Sequence, residues 1–478
     1  PNLDRLVAEG TTFTHDYCTN PTCTPTQASI ITGKYPSQHG AWSLGTKLPE
    51  TEHTVGEDFM ANGYRTALIG KGHFQQIHST DAYPSLEAPN GIPGNYEDFW
   101  RNFDECFYGF EHVELQRNHA SRGAAQHYRV WLQDRGLKDW ERYFSPPSPR
   151  ETVVRSDGKW QLPREYHYNE WIVERTEAYL HRRLETGEPF FLWASFPDPH
   201  PPYMVPEPWD TMYDPETITV PRLVAGEHEK NPPHFAMTQD PNADFSWYSD
   251  EPESNTAHGM HPHRADPGRL RKKIAVYYGM ISYTDQAVGR ILDMLDKMSL
   301  ADDTLVVFTT DHGHVYGHHG LTAKGPFHYE DLIKLPFLVR WPGRVKAGRR
   351  SDALQSLVDL APTFLSAAGI TVPRGMTGKD QLAVWTGEAE AARDRLFCEN
   401  HHNPTRIHHK TLVTQRYKLT VYYNQTYGEL FDLETDPSEV DNHWDDPDYA
   451  EVKQELLLAF AWEELGMEPM WMPRVAGA

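Results

Sequence analysis

Apolar positions in the first seventy residues change period several times. PNLDRLVAEG reads as a helix opened by Pro and Asn, a turn-rich loop holding Cys18 and Cys23 follows, another helix begins near Pro25, and a further one covers 54–62. YRTALIG then reads as a strand. This alternation predicts a parallel sheet with helices on its faces. From about 78 to 165 the rhythm breaks into scattered Pro, Gly, Trp, Tyr and His, which reads as insertion and loop. Helical spacing returns over 169–185, with Trp171, Ile172, Ala178 and Leu184 on one face, and the apolar run PFFLWASF at 189–196 follows as a strand.

Residues 197–268 are again rich in Pro, Asp, His and Asn, too long for a passive loop, and predict an active-site lid or a substrate wall. A long amphipathic helix over about 268–299 leads into the strand TLVVFTT, which stops at Asp311-His312-Gly313. Ligands of open α/β sheets gather beyond the carboxyl ends of strands, so chemistry is expected there. PFLVRW (336–341), a helix over 356–369 and a strand near 395–400 complete this part. TLVTQRYKLTVYY and GELFDL then read as antiparallel strands joined by a turn at YNQTYG, with a closing helix after them. The expected division is an α/β domain over 1–385 and a small C-terminal α+β subdomain over 386–478.

Lys+Arg 45 against Asp+Glu 68 gives 45 − 68 = −23, which argues against a nucleic-acid partner. A hydrophobic share of 38% supports a substantial core, and no run reaches the roughly 18 uncharged apolar residues of a membrane span. A soluble protein is expected, with cytoplasmic, periplasmic and secreted locations all open, since the chain starts at Pro1 and a leader would lie upstream. Four cysteines without C-x-x-C spacing form at most two bridges.

Pro25 sets the start of a helix and leaves Cys23 beside its first turn, where unpaired N–H groups and the helix dipole favour negative charge. A small buried core residue is the plain alternative for Cys23, and the only reading for Cys18. Lys71 and His73 lie two apart beyond a strand and can point the same way, to hold an anion and to protonate a leaving oxygen. His200 ends a second strand in PDPHPP, and Asp311, His312 and Lys324 follow a third.

In this order, CTPTQASIITGKYP, GYRTALIGKGHF, FPDPHPPY, TLVVFTTDHG, KGPFHYEDLIKLPFLVRWPG and LFDLETDPSEVDN resemble the sulfatase family of the alkaline-phosphatase superfamily, over nearly the whole chain. The resemblance implies an α/β/α sandwich with a mostly parallel sheet and a small C-terminal antiparallel subdomain. It also implies a metal-dependent hydrolase of aryl, alkyl or sugar sulfates. Cys23 matches the cysteine oxidised to formylglycine; Lys71, His73, His200 and Lys324 match sulfate-binding and leaving-group residues; Asp311 and His312 match two metal ligands. One divalent ion is implied, with calcium, manganese and zinc open, since a histidine ligand suits manganese or zinc better than calcium. A phosphonate monoester or phosphodiester hydrolase on the same scaffold is the alternative activity, and an inactive binding relative the non-enzymatic one. An oligomer is compatible with all three.

Two departures bear on the chemistry. The family pattern is C-x-P-x-R, and here the fifth position is Gln27, a substrate-side residue without the arginine's charge. Cys23 is therefore expected to stay mostly unmodified, with a metal-activated oxygen attacking. The family also begins with a strand ending in paired aspartates, about thirty residues before Pro1 by resemblance, so a central strand and two further metal ligands are expected upstream. His314, His318, His319 and His328 with Asp198 and His200 offer a second metal site, and Arg406 is the best candidate for gripping a charged substrate group.

Overall fold

A computed structural model describes the chain except residues 89–95, 118–122, 145–157, 222, 249–258, 264–265, 403–406, 469, 471 and 476–478. Helix α1 (Asn2–Glu9) leads into strand β1 (Thr11–Tyr17), which lies within the stretch expected to be loop. The start of α1 is fixed from afar, because Asp285 accepts the backbone N–H groups of Asn2 (3.0 Å) and Leu3 (2.7 Å). Helix α2 (Cys23–Thr32) and helix α3 (Val55–Ala61) precede strand β2 (Arg65–Gly70). The inserted region contributes a short strand, β3 (His112–Leu115), that the sequence pattern does not announce.

Helix α4 (Tyr168–Thr186) buries Trp171, Ile172, Tyr179 and Leu180, whereas Leu184, expected on that face, is exposed. Strand β4 (Phe190–Ser195), helix α5 (Pro267–Lys297), strand β5 (Val306–Phe308) and strand β6 (Lys334–Arg340) follow the order read from the sequence. Two short strands, β7 (Arg349–Ser351) and β8 (Gln355–Ser356), precede helix α6 (Leu360–Ala367).

Strands β3, β2 and β4 form one parallel sheet in that order. In a second sheet β1 pairs in parallel with β7 and β8 and antiparallel with β6, which pairs antiparallel with β5. Four of these six pairings are parallel, so the α/β class with a mostly parallel sheet describes the body of the molecule. Among the described residues β4 pairs only with β2, and β5 only with β6. Between them lies a cavity of about 1720 Å³ lined by Phe190–Ser195, Val306–Phe308, Leu292, Leu295, Phe59 and Phe364. One end of it opens on Lys71, His200, Asp311, His312 and Lys324.

After residue 394 the pattern becomes fully antiparallel. Strands β9 (Arg395–His402), β10 (Ile407–Thr414), β11 (Tyr417–Tyr422) and β12 (Gly428–Asp432) pair in sequence. The segment read as one strand before YNQTYG is two, because the chain turns at Gln415–Arg416. Helix α7 (Ala450–Gly466) covers this sheet through Leu456 and through Phe460 on Phe397, 4.7 Å between ring centres. The sheet is tied to the loop before α2, since Glu399 N donates to Thr19 O (2.7 Å) and Asn20 Nδ2 to Glu399 O (2.7 Å).

Candidate active site

Every residue of α2 is buried, and the loop before it is stitched shut by Asn20, which accepts from the Thr22 backbone (2.9 Å) and, through its carbonyl, from Thr26 Oγ1 (2.6 Å). Cys23 is the first residue of the helix, so its side chain sits at the positive end of the dipole. Lys324 Nζ lies 2.9 Å from Cys23 Sγ and 3.0 Å from His312 Nε2, and the latter two are 3.1 Å apart. Burial pushes the Cys23 thiol up, yet Lys324 and Lys71 outweigh it and pull its pKa down to about 6.

Strand ends deliver the remaining groups. Gly70 closes β2 with φ +114°, and a Cβ there would lie 1.8 Å from Ser195 O, so only glycine lets the backbone turn against β4. Lys71, the next residue, places Nζ 3.2 Å from Asp311 Oδ2, which also accepts from Gln27 Nε2 at 3.1 Å. Burial opposes ionisation of Asp311, but His312, Lys71, Lys324 and the Gln27 amide hold it well below the usual carboxylate range. His312 Nδ1 donates to Gly313 O (2.7 Å), which leaves Nε2 as the lone-pair nitrogen facing Lys324 and Cys23. His200 Nδ1 likewise donates to Pro201 O (2.7 Å). His73 is buried, with its Nε2 against the Arg117 guanidinium; burial first, then Arg117, Lys71 and Lys324, keep its ring neutral.

Cys23, Gln27, Lys71, Asp311, His312 and Lys324 thus meet directly, and His73 and His200 flank them. Arg406 lies outside the described residues. The six groups named for a second metal do not converge. His314 pairs with Tyr203 Oη (2.7 Å), His328 with Thr411 Oγ1 (2.6 Å), Asp198 with Tyr168, and His318 and His319 gather around Asp331 instead. Arg117 and Glu87 escaped the sequence reading: Glu87 is fully buried and accepts the backbone N–H groups of His73 and Gln75, fixing the His73 turn. Neither stands in a motif, and only the fold brings them near.

Cations, an imidazole and a carboxylate gathered at the strand ends of such a sheet make the kind of site that suits hydrolysis of a charged tetrahedral ester. The sulfatase family model matches residues 1–370, and that of the N-sulphoglucosamine sulphohydrolase C-terminal region matches 317–462. The chain belongs to the sulfatase family, hydrolases of sulfuric esters. It is similar to the multifunctional alkaline phosphatase superfamily protein PehA of Trinickia caryophylli, 27% identical over 97% of this chain and 89% of that one. It is also similar to an arylsulfatase of Clostridium perfringens, 26% identical over 94% and 86%. Among solved structures, the phosphonate monoester hydrolase of Silicibacter pomeroyi superposes with TM-score 0.78 at 22% identity over 98% and 91% of the chains. A protein solved with its substrate D-glucosamine-2-N,6-O-disulfate superposes with TM-score 0.67 at 22% identity, over 98% and 94%. These two likenesses concern the fold. No helix among the described residues is long and apolar enough to cross a membrane.

Proposed function

We propose that the pocket at the end of α2 hydrolyses a sulfate monoester of a small or saccharide alcohol, ROSO₃⁻ + H₂O → ROH + HSO₄⁻. The observation that carries this reading is the placement of two buried ammonium groups, Lys71 and Lys324, around Asp311, His312 and the N-terminus of α2 at one end of a cavity. Fixed donors of this kind stabilise the charge that builds on the non-bridging sulfate oxygens as the ester bond breaks. The Nδ1 proton of His200 is committed to Pro201 O, so Nε2 is the atom that exchanges a proton with the departing alkoxide. His73, neutral and held by Arg117, orients that side of the pocket.

The donor set fits a divalent cation: Asp311 and His312 each offer a ligand atom, with the Cys23 sulfur within 4.8 Å of both. Asp311 is ionised and His312 presents a lone pair, and an imidazole ligand suits manganese or zinc better than calcium. Such an ion, when bound, polarises a sulfate oxygen as a Lewis acid.

Cys23 in this reading remains a cysteine, and the attacking oxygen comes from water. Gln27 supports this, because its amide is spent on Asp311 and brings no net charge, while Lys324 neutralises Cys23. Peptide mass spectrometry over residues 18–34 should find unmodified Cys23, and Cys23→Ala should retain turnover. Formylglycine at high occupancy, or complete loss of turnover in folded Cys23→Ala, would return the attack to position 23. Side-by-side assays on an aryl sulfate, an aryl phosphonate and a phosphodiester test the substrate class, with the sulfate expected to turn over fastest.

A further inference from the structure

The loop between β5 and β6 doubles back at Gly317 and Gly320, and between them His319 has φ 55° and ψ 22°. A non-glycine residue in the left-handed region is uncommon and persists when its surroundings hold it there. Here it lays two consecutive imidazoles side by side, His318 and His319, with ring centres 4.5 Å apart. Asp331 reaches the same spot, its carboxylate against His318 Nδ1. One ligand atom from each of the three lies within 4.8 Å of the other two.

Behind them stands Glu227, whose Oε1 is 3.3 Å from His319 Nδ1, each side chain 2% exposed. Neither atom has a hydrogen bond of acceptable geometry among the described residues. The His319 ring is further clamped by Tyr329, stacked at 3.6 Å, and its carbonyl accepts from His228 Nε2 (2.9 Å). A buried carboxylate behind an immobilised imidazole is the arrangement that orients histidines toward metals.

We propose that His318, His319 and Asp331 form a second cation site, separate from Asp311 and His312, which takes a zinc-like divalent ion with Glu227 orienting His319. Two imidazoles and one carboxylate select a borderline transition cation over calcium. Ligand atoms around tetrahedral zinc stand roughly 3.4 Å apart, so closing the site from its present spread needs a contraction of about 1.5 Å at most. The ion would fasten the turn at 317–320 to residue 331, one on each side of Lys324, and so brace the loop that carries this lysine.

The test is a Co²⁺ titration of metal-stripped, tag-free protein, followed by visible d–d absorption and by metal analysis after desalting. His318 and Asp331 are 37% and 42% exposed, so His318→Ala and Asp331→Asn should both fold. Wild-type protein is expected to hold one Co²⁺ more per chain than either variant, with tetrahedral absorption bands that both variants lose. Glu227→Gln should keep the count and weaken the affinity about 10- to 100-fold. Equal Co²⁺ counts in wild type and both variants would overturn the proposal and leave His318 and Asp331 as an ion pair only.

Discussion

Replacing Lys324 by methionine keeps the length of the side chain and removes the charge 2.9 Å from Cys23 Sγ. At an effective dielectric near 20, that contact is worth about 6 kcal/mol to a thiolate. The pull from the ordinary 9.0 down to about 6 corresponds to about 4 kcal/mol, so the Lys324 contact is large enough to supply most of it against the burial cost, with Lys71 adding to it. Lys324→Met should therefore return the midpoint to about 9 or higher, because burial and Asp311 would act against only Lys71 and His312. At pH 7 the thiolate population would fall from roughly nine-tenths to about one-hundredth. Alkylation rate is a poor readout, since a thiolate of higher pKa is intrinsically more nucleophilic and recovers much of the difference. The far-ultraviolet thiolate absorbance of metal-stripped protein, taken as the difference from a matched Cys23→Ser protein across pH, reads the midpoint directly. A Lys324→Met midpoint within one unit of wild type would refute the argument that this ammonium holds the thiolate.

Two further outcomes are expected. Asp198 is raised to about 7 by burial, against which its bond from Tyr168 works, so the fold prefers it protonated. That contribution is complete below the unfolded carboxylate range near 4 and is lost as pH rises through about 7; Asp198→Asn should remove the loss, visible as a Tm gap over wild type that widens from about pH 4 to 7 and then levels off. Gln27→Arg should raise the formylglycine fraction in the 18–34 peptide, and an unchanged fraction would show that the missing guanidinium is not what limits oxidation.

The groups that meet in the pocket were legible because each stands at a strand end or a helix start, where local sequence decides direction. Gly70 before Lys71 and Pro25 after Cys23 are signals of that kind. Arg117 and Glu87 were not, since both enter through an insertion whose residues show no period and whose strand β3 has only four residues. Strand β1 was missed because TTFTHDY places threonines and a histidine where a half-buried pattern would put apolar side chains, and its stability comes from neighbours on both sides, β6 and β7. Leu184 was misassigned because, although in phase with Leu180, it lines the open cavity instead of packed side chains and stays 47% exposed.

The two strands that flank the cavity raise a different point. Natural sheets protect an edge with charged residues, proline or a bulge, because a bare row of backbone groups invites pairing. Neither FFLWAS in β4 nor VVF in β5 carries such protection, and both read as strands meant to be paired on each side. Yet their side chains are only half-buried, with the apolar wall of the cavity opposite them. That cavity runs to Asp311 and His312, so a change on its apolar wall also changes the surroundings of these two side chains. If the proposed metal site is right, a charge set on this apolar wall by Ala194→Lys in β4 should lower both the Tm and the Co²⁺ uptake at Asp311 and His312, and an unchanged uptake in a destabilised variant would separate the two.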